Sequence, residues 1–117
     1  MSEINFTKEI KKDCYAIKII AKENGETAGR AYLYIIYNDL HDKPYGLLED
    51  VFVEEKFRGR GLGSQLLHQI ISEAKERKCY KLIADSRYER AKVHTWYEKE
   101  GFKKYGFEFR FDFFVLE

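Results

Sequence analysis

The residues of this chain whose types and spacing could do chemistry begin with Arg58-Gly59-Arg60-Gly61-Leu62-Gly63. They lie between an apolar run, Leu47-Leu48-Glu49-Asp50-Val51-Phe52-Val53, and a segment in which Leu66, Leu67, Ile70, Ile71 and Ala74 recur at the spacing of one helix face. A strand, a glycine-rich turn and a helix are predicted in that order, so the turn ends at a helix N-terminus. Glycine takes positive φ without steric cost and lets backbone N–H groups approach a ligand, while the first helical turn and the helix dipole favour negative charge. The expected chemistry is the binding of a phosphate-bearing group. No Lys-Ser or Lys-Thr follows Gly63, which disfavours a nucleoside triphosphatase loop, and Gly59-x-Gly61-x-Gly63 misses the dinucleotide fingerprint by one residue. Glycine-rich hexapeptides also occur in plain turns and in flexible RNA-binding tails, so the surrounding elements must decide.

Those elements are legible along the chain. Residues 15 to 22 are rich in β-branched side chains and precede the turn signal Glu23-Asn24-Gly25. A longer strand over 28 to 37 is apolar enough on both faces for a sheet interior, and residues 38 to 44 form its loop. A third strand is predicted over 46 to 53, a helix over 63 to 78, a short strand over 80 to 85, and a second helix over 91 to 99 closed by Gly101. The end alternates, with Phe107, Phe109, Phe111 and Phe113 on one face and Glu108, Arg110 and Asp112 on the other, which predicts a terminal strand in a hairpin. Ahead of the first strong strand, residues 4 to 10 can make a short strand but not two helices.

With 117 residues, the chain is read as a single domain over 1–117, large enough for one core. Its 44% hydrophobic and 16% aromatic content suffices for a packed fold. No segment approaches the roughly 20 apolar residues of a membrane span. Lys8, Lys11 and Lys12 are followed by nothing of signal-peptide form, and Cys14 and Cys79 are read as two buried, reduced thiols, so a cytoplasmic location is expected. The 21 basic and 20 acidic residues are interleaved, which argues against a nucleic-acid partner. Cys and His show no metal-ligand spacing, so no metal is expected, and His41 and His68 are read as surface or packing residues.

Taken together, three blocks resemble the GNAT superfamily of acetyl-CoA-dependent N-acetyltransferases. Arg58-x-x-Gly61-x-Gly63 is similar to that family's pyrophosphate loop. Glu49-Asp50-Val51-Phe52-Val53 resembles the acidic strand that precedes it. Residues 90 to 102, with Trp96-Tyr97-Glu98 and then Gly101-Phe102, resemble its second signature. The resemblance implies an α+β fold, a central twisted mixed β-sheet with flanking helices, here shortened at the N-terminus. It implies that the strands ending near Val53 and starting near Tyr80 run parallel and splay apart to admit the pantetheine arm of acetyl-CoA. Family members usually carry two helices between their first two strands that wall the acceptor side. Here that side is expected to be open, or completed by a second subunit.

Amine acetylation needs a neutral amine, stabilisation of the oxyanion and a proton for the departing thiolate. An alkylamine of pKa about 10.4 is neutral only about one part in 10³–10⁴ at pH 7. By resemblance to polyamine-acetylating members, Glu49 is the candidate base, directly or through water, and Asp50 binds or orients the substrate. The competing reading makes both acids solvent-facing strand residues. A backbone N–H at Val51, freed by a bulge, would stabilise the oxyanion. The resemblance has Val51, Phe52 and Val53 pair with the pantetheine amides, while Arg58, Gly59, Arg60, Gly61, Leu62, Gly63 and Ser64 cradle the pyrophosphate. Tyr97 is the candidate general acid, against the alternative that it is only core. Arg90 stands where many members have an Asn on the cofactor. The strand ending at Asp85 resembles that of glucosamine-phosphate acetyltransferases and makes Asp85 a candidate substrate contact. The expected function is acetyl transfer from acetyl-CoA to a primary amine, on a polyamine-like or amino-sugar-like small molecule. A peptide or protein amine is the alternative, as is a non-catalytic CoA-binding module. The Phe-rich terminal strand also predicts a homodimer.

Overall fold

The computed structural model describes residues 3–86 and 89–114. It resolves into two compact units, residues 1–83 and 84–117. The first contains β1 (Tyr15–Glu23), β2 (Glu26–Ile36), β3 (Tyr45–Val53), a single 3-10 turn (Glu55–Phe57) and α1 (Leu62–Glu76), and runs into β4 (Leu82–Ala84). The second carries α2 (Ala91–Lys99).

The sheet has the order β1-β2-β3-β4. β1 and β2 are antiparallel and joined at Asn24-Gly25, both at positive φ (50° and 81°), the backbone that a two-residue hairpin turn requires. β2 and β3 are also antiparallel. Against β3 the bonds advance the same way on both strands, from Tyr80 N–H to Pro44 O and then from Gly46 N–H to Lys81 O, as in a parallel pair. The sheet is therefore mixed, and β4 follows β3 through the α1 crossover.

α1 forms because its apolar residues fall on one stripe. Leu66, Leu67, Ile70 and Ala74 are buried against Ala28, Ala31, Leu33, Ile35 and Leu48 of the sheet, with Phe57 also buried. Each large aliphatic side chain so buried contributes about 1.5–3 kcal/mol. Gly29 permits the close approach: a Cβ there would meet Phe52 O at 2.7 Å and a Leu66 methyl at 3.1 Å.

Several expectations are corrected. β2 is interior by strand order, yet only one of its faces is buried; Tyr32 and Ile36 are half-buried and Tyr34 is exposed on the other. Residues 4 to 10 form no strand, and Ile4, Phe6 and Ile10 are exposed. The terminal hairpin is also not formed: residues 102 to 112 adopt no regular structure, and Phe107, Phe109, Phe111 and Phe113 are exposed. Alternation orients side chains, but a strand exists only where a neighbour supplies the other half of the ladder. Cys14 is exposed at the start of the edge strand β1, and Cys79 is only half-buried, its thiol pushed up by that burial. α2 and the closing role of Gly101 (φ 103°) fall where the sequence places them.

Candidate active site

The glycine-rich loop leaves the 3-10 turn at Arg58 and enters α1 at Gly61. Gly59 and Gly61 both lie at positive φ (79° and 78°), which is why glycine occupies these places. Gly61 is the residue preceding the helix, and no side chain caps the helix start. Nor does the first turn contain an acidic residue. The positive end of the dipole is thus offset by no carboxylate of its own helix, the arrangement an anionic group needs.

Two arginines flank this turn. Arg58 donates through Nε to Val53 O at 2.9 Å and lies over the Phe52 ring. Arg60 reaches back to Glu23 at 2.7 Å and lies over Phe57. Both ion-pair partners of that second contact are about half exposed, so the pair is worth about 0–1 kcal/mol and yields readily to a stronger anion.

The strand ahead of the loop is broken by a bulge. Arg30 pairs with Phe52 and Tyr32 with Glu49, so Asp50 and Val51 together oppose the single residue Ala31. Asp50 takes the left-handed conformation (φ 54°), which costs most L-residues about 1–2 kcal/mol and is tolerated best by Asp and Asn after glycine. Arg30 holds it there, with Nε to Asp50 Oδ2 at 2.9 Å and the guanidinium over Phe52. This is the bulge that the sequence reading requires at Val51. Arg30 was not singled out by that reading; an Arg on the neighbouring strand becomes meaningful only once the register is known. β4 ends at Ala84, so on that side Val51 to Val53 have no strand partner among the described residues. Their edge is left for an added extended chain, except at Val53 O, which already accepts from Arg58 Nε.

Glu49 lies across from Tyr32 on the uncovered face of the sheet and is exposed. It is the one charged residue lining a groove of about 570 Å³, formed with Cys14, Tyr34, Ile36 and Leu47 among others. Asp85, Arg90 and Tyr97 belong to the second unit. Asp85 is exposed. Arg90 is the residue preceding α2, and its carbonyl accepts from Val93 and His94. Tyr97 is half-buried between Trp96 (ring centroids 5.2 Å) and Phe102 (5.3 Å). The first unit therefore brings together the bulge, Glu49 and the loop through Ser64. No cluster of His, Cys, Asp and Glu suited to a metal occurs among the described residues.

The model of the Acetyltransferase (GNAT) family matches residues 2–102, and the chain belongs to that family. It is 37% identical over 67 residues to glucosamine 6-phosphate N-acetyltransferase of Trypanosoma brucei brucei, covering 57% of this chain and 44% of that one. It is 28% identical over 92 residues to aminoglycoside N(6')-acetyltransferase type 1 of Stenotrophomonas maltophilia, covering 76% and 60%. The crystal structure of glucosamine-6-phosphate N-acetyltransferase from Arabidopsis thaliana superposes with a TM-score of 0.74 at 27% identity, over 84% of this chain and 67% of that one. The chain thus spans roughly half the length of the curated relatives it matches, from 44% to 60% for the two named here.

Proposed function

We propose that this chain transfers an acetyl group from acetyl-CoA to a primary amine of a small molecule, polyamine-like or amino-sugar-like. The observation that carries the reading is the conjunction in one unit of an uncapped helix start behind two positive-φ glycines, a bulged strand with an open edge, and a carboxylate beside that bulge. These features fit acetyl-CoA: residues 58 to 64 would hold its diphosphate, and the edge of Val51, Phe52 and Val53 its pantetheine amides. The cosubstrate supplies an acetyl group activated as a thioester.

The remaining work falls to the protein. Glu49 accepts a proton from the ammonium form of the substrate, either directly or through a water, and the groove beside it receives the amine's carbon skeleton. Glu49 is exposed, and substrate and cosubstrate binding beside it would exclude water from the reacting amine. The Val51 N–H faces the oxygen on which negative charge develops. By the family resemblance, Tyr97 is the candidate donor of a proton to the departing sulfur, with Arg90 and Asp85 the candidate contacts to cosubstrate and substrate respectively. Asp50, already paired with Arg30, orients and does not abstract.

The names of the relatives define the test panel. A thiol-release assay with acetyl-CoA should detect turnover with at least one of a polyamine, glucosamine 6-phosphate, an aminoglycoside or an aminoalkylphosphonate. CoA binding without turnover on any of these or on a peptide amine would make the chain a non-catalytic CoA-binding module.

A further inference from the structure

On the uncovered face of the sheet, the strand registers align three successive rows of side chains. Ile20, Arg30 and Phe52 form the row nearest the glycine-rich loop, Lys18, Tyr32 and Glu49 the next, and Ala16, Tyr34 and Leu47 the third. Both cations of this face are already engaged. Arg30 holds Asp50 at 2.9 Å, and Lys18 lies over the Tyr32 ring, 5.6 Å from its centroid. The groove beside Glu49 runs away from them, over the third row and on to Ile36 and Cys14. Glu49 carries the only charge among its described lining residues, so the groove offers a counter-charge to one ammonium and none to an anion. From the level of Glu49, opposite Tyr32, to that of Ile36 is a reach of about 13 Å along β2.

We propose that the acceptor is an aliphatic primary amine without an anionic group, an alkylamine or the aminoalkyl arm of a polyamine, whose methylene arm lies along Leu47, Tyr34 and Ile36. The inference rests on the acetyltransferase reading above and narrows it. In that reading the thioester comes from the side of Val51 to Val53 and the amine stands at Glu49. The rest of the acceptor must then leave in the opposite direction, and that is the direction of the groove. There the arm exchanges water for Leu47, Ile36 and the ring of Tyr34, which is 38% exposed and lies nearly parallel to Tyr32 (centroids 6.2 Å, interplanar angle 19°). A phosphate or carboxylate on the same path would leave water for a surface that holds no cation and has Glu49 at its head. The reaction itself is unchanged: the C–N bond forms as the C–S bond breaks, one proton of the ammonium passing to Glu49 and a second ending on the thiolate. Leu47, Tyr34 and Ile36 are thus the residues that set specificity, and they act against amino-sugar phosphates.

The test measures kcat/KM by thiol release from acetyl-CoA with propylamine, butylamine, hexylamine and 6-aminohexanoate, and with glucosamine 6-phosphate beside them. The alkylamines and 6-aminohexanoate share the pKa range of a lysine ammonium, about 10.4, so the series varies the arm and not the neutral fraction. Each added methylene should raise kcat/KM about two- to fourfold. Hexylamine should exceed 6-aminohexanoate and glucosamine 6-phosphate by about tenfold or more. Tyr34→Ala, with its fold checked by circular dichroism, should flatten the series, lowering hexylamine about tenfold and propylamine less than about threefold. Ile36→Lys puts a cation at the far end of the groove and should shift the preference toward 6-aminohexanoate by about tenfold. A flat chain-length series in the parent enzyme overturns the proposal, as does a higher kcat/KM for glucosamine 6-phosphate than for hexylamine, or a folded Ile36→Lys variant whose preference has not moved. Each of these leaves the acetyltransferase reading standing. CoA binding without turnover of any amine overturns both.

Discussion

In the proposed mechanism Glu49 takes a proton and Tyr97 gives one, and this separates their expected kinetics. Glu49→Gln should lower kcat/KM about 10²-fold at neutral pH and recover part of the loss as pH rises, because free amine then forms without a base. Full activity of this variant at neutral pH would return Glu49 to a surface acid. Tyr97→Phe should lower turnover by a similar factor at every pH, with CoA affinity changed no more than a few fold, since the lost group acts on sulfur and not on the diphosphate. An unaffected variant would leave Tyr97 as packing between Trp96 and Phe102. The cysteines differ as well. Burial raises the Cys79 thiol and so lowers its thiolate fraction near neutral pH, whereas Cys14 is exposed. Iodoacetamide should therefore alkylate Cys14 first, as peptide mapping would register.

Two elements carry the proposed binding surface: the loop into α1 and the bulge in β3. Gly61→Asp should abolish CoA binding by calorimetry while circular dichroism stays unchanged, because it adds a carboxylate at the helix start and forces a side chain onto φ 78°. Wild-type affinity in a folded variant would refute the loop assignment. At the bulge, Asp50→Gly should change stability little. Relief of left-handed strain, about 1 kcal/mol, is offset by loss of an exposed ion pair worth about 0–1 kcal/mol. Asp50→Val should destabilise by about 1–3 kcal/mol, since a β-branched residue tolerates that conformation poorly. Thermal melts of the two variants give the comparison.

At the scale of the molecule, the first unit is a sheet with a core on one side. α1 covers that face, while the opposite face shows Tyr34 and Ile20 at 38% and 46% exposure. Leu67→Ala, at 0% exposure, should cost about 2–5 kcal/mol. Tyr34→Ala on the open face should cost less than about 1 kcal/mol, since little of its contact area is enclosed. Equal losses by chemical denaturation would mean that the open face is packed in solution. Any such cover would also close the groove beside Glu49.

Local patterns in the sequence were enough to place β1, β2, β3, α1 and α2, because each depends on periodicity, turn residues or caps within a few positions. The hairpin at Asn24-Gly25, the start of α1 behind Gly61 and the end of α2 at Gly101 are set by glycine and asparagine reaching backbone angles that other residues avoid. The same holds for the positive-φ glycine turn that leads from β3 into α1, which needs only a strand, glycines and a helix in that order. What the sequence could not reach depends on partners far along the chain. The Phe107 to Phe113 alternation reads as a strand, but pairing is a property of two chains, and none of the described residues supplies the second. Cys14 reads as buried until β1 proves to be an edge strand. Arg30 acquires its role only when the β2–β3 register sets it across from Phe52, where it reaches Asp50, and that register is decided by the sheet as a whole.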